Sequence, residues 1–117
     1  MGERNTGLRA DQQALPVLQM MYGGTSAVAG RAVCVTGTLR LARRADFEAL
    51  MESLGAAVVR TPTRATSFLV VGTWRPQAAS SRKFDRARQL AAAGAGIEIV
   101  GEDEFFARLG GSAVALR

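Results

Sequence analysis

Apolar residues in this chain follow two rhythms. Some stand in short unbroken runs: "AVCV", "AAVV", "FLVV" and "IEIV". Others recur every three or four positions within longer, mostly polar stretches. Phe47, Leu50, Met51 and Leu54 fall at i, i+3, i+4 and i+7, one stripe of a helix. The runs are rich in β-branched residues and stop at glycine, as buried strands do. "RAVCVTG" is read as the first strand and "RRADFEALMESLGA" as a helix that Gly55 ends. "AAVVR" is a second strand, "TPTRAT" a turn and "SFLVVG" a third strand. After the loop "TWRPQAASS" comes a helix, "SRKFDRARQLAAA", with Phe84, Ala87 and Leu90 or Ala91 on one side. "GIEIVG" is the fourth strand. "EDEFFARL" closes the series as a helix with Phe105 and Leu109 inward and three acids in its first turn, where the helix dipole favours them.

The order is β-α-β-β-α-β-α. Strands that are apolar throughout suit a parallel sheet covered on both faces. The expected fold is therefore α/β in three layers, with four parallel strands and about three helices. In such sheets ligands bind beyond the carboxyl ends of the strands. Residues 1–29 stand apart as an N-terminal arm. "MGERNTG" is polar, "LRADQQALPVLQMMY" offers Leu8, Leu15, Leu18 and Tyr22 to one helical face, and "GGTSAVAG" reads as a linker. Pro16 starts or breaks that helix. Residues 30–110 form the domain and 111–117 a tail.

Composition narrows the chemistry. Histidine is absent and Cys34 is the single cysteine, which removes imidazole bases, Cys/His zinc clusters and internal disulfides. Cys34, inside an apolar run, reads as core. No stretch has membrane-spanning length, and the start lacks signal-peptide order. The net charge of +5 is uneven. Residues 31–64 carry six arginines against three acids, and residues 65–93 carry four arginines and one lysine against one acid. The arm is balanced and the last 24 residues are acidic. The mid-chain excess suits one basic face toward an anionic partner.

One lysine, Lys83, stands among fourteen arginines, within "SSRKFDRAR". It opens the second domain helix, as Arg44 opens the first. Both cations oppose the helix dipole there, and a bound anion would offset that cost. Thr36 and Gly37 end the first strand at the same edge of the sheet. A hydroxyl, an N–H without a side chain beside it, a planar guanidinium fork and a compact ammonium could together hold one phosphate. No GKS/GKT loop and no GxGxxG fingerprint is present, so a nucleotide-binding enzyme is poorly supported.

From about Gly30 to Leu109 the chain resembles a BRCT domain. "GRAVCVTGTL", "RADFEALMESLGAAV", "TRATSFLVVG", "RKFDRARQL" and "GIEIVGEDEFFARL" follow the family's order. The nearest subclass is that of bacterial NAD-dependent DNA ligases and the large subunit of replication factor C. By that resemblance Thr36, Gly37, Arg44 and Lys83 are the phosphate-binding residues. Three departures are visible. The family's glycine pair is Gly55-Ala56, the cap before Arg44 is Arg43, and the loop before Lys83 is about five residues longer than usual.

The resemblance implies a non-catalytic module that binds the 5′-phosphate of a DNA end or nick in replication or repair. Arg40, Arg43, Arg82 and Arg86 would follow the DNA backbone. In the longer loop, a departure from the family, Trp74 could stack on a base or cap a DNA end with Arg75 as a further contact, and covering the core is the plainer role for the tryptophan. The alternative is a phosphopeptide or protein-interaction module, or the tail of a ligase or exonuclease. No cofactor and no metal are expected. The expected location is the cytoplasm on a bacterial nucleoid, or the nucleus in a eukaryote.

Overall fold

A computed structural model describes residues 12–72 and 82–110. Eight elements follow one another: α1 Leu15–Tyr22, β1 Ala32–Thr36, α2 Arg44–Ser53, β2 Ala57–Val58, β3 Phe68–Val71, α3 Arg82–Ala92, β4 Glu98–Gly101 and α4 Glu102–Leu109. The strands form one parallel sheet in the order β2-β1-β3-β4. The expected β-α-β-β-α-β-α order and the parallel sheet are both present.

Side chains of a strand alternate between its faces. Val33, Val35, Val70 and Val100 join Phe47, Leu50 and Met51 of α2 and Phe105, Phe106 and Leu109 of α4 in one core. Cys34 and Leu69 join Ala87 and Leu90 of α3 and Ile97 in a second, smaller one. Phe105 sits at the centre of the first. Its ring lies 5.8 Å from Phe47, 5.5 Å from Phe68 and 6.4 Å from Phe106, in tilted and edge-on geometries. The stripe read from sequence is the buried face of α2.

Helix α1 packs on this larger core. Pro16 lies in its first turn, where the missing N–H costs nothing. Leu18 is buried, and Tyr22 lies 5.3 Å from Phe106. Val17, Met20 and Met21 face outward. The segment read as linker holds the buried Val28, and Gly30 N–H donates to Gly55 O at 2.9 Å.

Two glycines stop helices through the left-handed conformation. At the end of α2, Gly55 has φ +89, its N–H donates to Glu52 O, and Ala56 N–H donates to Met51 O. Only the first position of the family's glycine pair needs positive φ, so Ala56 fits there and buries its methyl. Gly94, with φ +96, ends α3 with the same pattern of bonds to Ala91 O and Leu90 O.

Strand β2 is short, and this shapes the site. It pairs only Ala57 with Ala32 and Val58 with Val33, and Val59 N–H then donates to Val33 O at 3.0 Å. The next carbonyl of β1 on that side is Val35 O. The strand that would have met it has already turned away.

Candidate functional site

The site begins at that carbonyl. Arg44, first residue of α2, donates from its guanidinium to Val35 O at 3.1 Å and to Gly37 O at 3.0 Å. Lys83, in the first turn of α3, donates Nζ to the same Val35 O at 3.0 Å. The helices lie on opposite faces of the sheet, so two cations reach one oxygen from its two sides. Residues 39 positions apart in sequence become neighbours. A carbonyl oxygen has two lone pairs and accepts both donors. The two positive charges still repel each other at this separation.

Gly37 has φ +82, which lets β1 turn sharply beneath Arg44. Gly72, at the end of β3, lies close against the chain that follows β1. Its N–H donates to Thr36 O at 2.8 Å, and a Cβ there would lie 2.3 Å from Thr38 O. No larger residue fits there without moving Thr38. Thr36 itself is 3% exposed, on the face of β1 that α3 covers. The sequence reading offers it as a hydroxyl donor to the phosphate. It forms the floor of the site rather than its rim.

The supporting arginines divide into two pairs. Arg40 pairs with Asp103 at 2.7 Å, and Arg43 pairs with Asp46 at 3.0 Å. Arg43 occupies the N-cap of α2 without a side-chain cap bond, as its side chain chemistry predicts. Arg82 and Arg86 are exposed on α3 and line a groove of about 530 Å³ with Thr61, Lys83, Asp85 and Gln89. Trp74 and Arg75 lie outside the described residues.

Sequence reasoning missed Glu102. It is fully buried, and its carboxylate accepts the backbone N–H of Arg40 at 2.8 Å and that of Leu41. Gln13 N–H donates to Leu41 O at 2.8 Å from the other side. The loop before α2 is thus clamped between α4 and the segment before α1. A signal was available: Glu102 follows Gly101 with no loop, so the first acid of α4 starts where β4 ends.

Cys34 lies one residue before the shared carbonyl. Burial pushes its thiol above the usual range, against the pull of Lys83 and Arg44. It is a buried core group, as its apolar run suggested. Among the described residues no cluster of three metal-ligating side chains exists, and no helix is long and apolar enough to cross a membrane.

The family model of the BRCA1 C Terminus (BRCT) domain matches residues 28–109. The chain belongs to the BRCT family. Its BRCT domain is similar to segments of bacterial DNA ligases. It is 38% identical over 93 residues to a DNA ligase of Sinorhizobium medicae (strain WSM419), covering 80% of this chain and 12% of that protein. It is 40% identical over 86 residues to a DNA ligase of Rhizobium meliloti (strain 1021), covering 74% and 11%. A DNA ligase of Clostridium perfringens (strain SM101 / Type A) is 39% identical over 76 residues, covering 65% and 10%. The BRCT domain therefore corresponds to about a tenth of the length of these relatives.

Proposed function

We propose that this BRCT domain is a non-catalytic DNA-binding module that grips the 5′-phosphate of a duplex end or nick, in DNA replication or repair. The observation that carries the reading is the meeting of Arg44 and Lys83 on Val35 O, beside Gly37. An ammonium has three donors and a guanidinium five, so each cation keeps donor capacity beyond these contacts. A phosphate between them would also offset their mutual repulsion. A terminal monoester carries about −1.5 to −2 at pH 7, more than a backbone diester, which favours ends. From Lys83 the groove with Arg82 and Arg86 offers a path for the adjoining backbone. Similarity to segments of DNA ligases agrees with a DNA partner.

The test is a titration with one duplex in 5′-phosphorylated and 5′-hydroxyl forms, with a phosphoserine peptide as competitor. Lys83→Ala and Arg44→Ala are each expected to weaken binding to the phosphorylated duplex by roughly 1.5–3 kcal/mol, the scale of a charged hydrogen bond. Thr36→Val removes one neutral donor and reduces the phosphate preference less. Equal binding of both duplexes by the wild type and both cation variants would refute the pocket. Displacement of the duplex by the peptide at comparable concentration would favour a phosphopeptide partner instead.

A further inference from the structure

Lys83 stands where two grooves meet, and their charges differ. Toward α3 the lining is Arg82, Arg86, Thr61 and Gln89 with one carboxylate, Asp85. Toward α2 a groove of about 520 Å³ is lined by Arg44, Glu48, Glu52, Val58, Val59, Arg60 and Lys83. Arg44, Glu48 and Glu52 follow at four-residue steps, so they form one stripe along the helix. The stripe changes sign directly after the cation of the site. Among the described residues neither glutamate forms an ion pair. The groove runs from Lys83 between α2 and the residues at the end of β2, and a DNA strand could pass along it.

We infer that Glu48 and Glu52 are specificity-determining residues that reserve the site for a DNA end by repelling a backbone that continues past it. The inference rests on the phosphate-pocket reading above. An internal phosphate in the site has DNA on both sides, whereas a terminal phosphate has it on one. A strand leaving over Arg82 and Arg86 meets cations. A strand continuing over α2 meets two carboxylates, with Arg60 as the one cation of that lining besides the site's own Arg44 and Lys83. Glu48 lies about 6 Å and Glu52 about 12 Å beyond Arg44 along the helix axis, by the helical rise. Strand phosphates recur about every 3.4 Å of duplex axis, so a backbone that ran along α2 would bring the next ones beside these groups. Such separations are comparable to the screening length of about 10 Å at 0.1 M salt, so the repulsion acts at low and moderate salt.

The test uses the full chain, its Glu48→Gln/Glu52→Gln double variant and Lys83→Ala. The probes are one duplex as a 5′-phosphorylated end, a 5′-hydroxyl end and a covalently closed circle. Glu52 is exposed and Glu48 half-buried, and glutamine keeps their length and helix preference. At low salt the double variant is expected to bind the circle about tenfold more tightly than wild type, the scale of two like-charge contacts removed. Its affinity for the phosphorylated end should change by less than about threefold, and its gain on the circle should vanish at high salt. An unchanged ratio of end to circle would overturn the inference, as would an equal gain on all three probes. If wild type does not prefer the phosphorylated end and Lys83→Ala binds as wild type does, the phosphate reading itself falls, and this inference with it. A wild-type preference that Lys83→Ala abolishes, beside an unchanged end-to-circle ratio, removes the inference alone.

Discussion

The two faces of the sheet are built differently. The face under α1, α2 and α4 holds three interlocked phenylalanines and most of the buried aliphatic residues. The face under α3 is closed by Cys34, Leu69, Ala87, Leu90 and Ile97, with Phe84 packed at its margin. The thick side supplies Arg44 and the thin side supplies Lys83. The site therefore joins a helix on the main core to one held by a few small contacts. Stability and phosphate contact should separate accordingly: damage to the thick side unfolds the domain, and damage to the thin side first loosens Lys83.

The largest effect is expected on the thick side. Phe47→Ala should cost about 3–5 kcal/mol, because it empties the space between Phe105 and Phe106. Denaturant melts would measure it, and a loss under 1 kcal/mol would show that the aromatic cluster is not the main core.

Leu18→Ala should cost about 3 kcal/mol by the same reasoning, since Leu18 belongs to that core although α1 precedes the sheet. Phosphate contacts appear as about 0.9 of log–log salt slope each. The variant should keep the wild-type slope for DNA binding. A slope lower by two contacts would mean that α1 holds the backbone.

Leu90→Ala on the thin side should cost about 2 kcal/mol, near the low end for buried leucine. Hydrogen exchange in α3 should rise more than in α2. Affinity for the phosphorylated duplex should fall even under conditions where the domain stays folded. Equal protection of both helices would remove the contrast between the faces.

The smallest effect concerns the rim. The hydrogen bond from Arg108 holds the Glu98 carboxyl below its usual range, although Glu98 is exposed. A carboxyl lowered in the folded state stabilises above its unfolded pKa, and the gain fades as pH falls through the folded value. Glu98→Gln should therefore lower the melting temperature slightly at neutral pH and match wild type in acid. A difference that grows in acid would contradict this sign.

Much of the fold was legible because it rests on local physics. Three-to-four spacing marked the buried face of α2, and Phe105 and Leu109 of α4 were read inward and are buried. Gly55 stopped α2 where a left-handed residue was needed. The candidate site was legible in part. Arg44 and Lys83 stood out as cations at helix starts, and the structure brings both to Val35 O. Arg40 and Arg43 looked equivalent to Arg82 and Arg86, but Asp103 and Asp46 take up the first pair. Asp103 is 63 positions from Arg40, so no local pattern announces that contact.

By itself the sequence determined the order of elements, their stops, the buried stripes and the presence of one lysine among many arginines. These follow from side-chain volume, backbone preference and periodicity, which act over a few residues. Tertiary structure alone decided the sheet order β2-β1-β3-β4, because strands pair through backbone groups that every sequence shares. That order, with β2 ending after Val58, left Val35 O open between α2 and α3. It also buried Glu102 against the loop it clamps and brought Lys83 to the groove that Glu48 and Glu52 line. A charge is worth little in water and much beside another charge in a groove. Its role is therefore fixed by distances that only the folded chain creates.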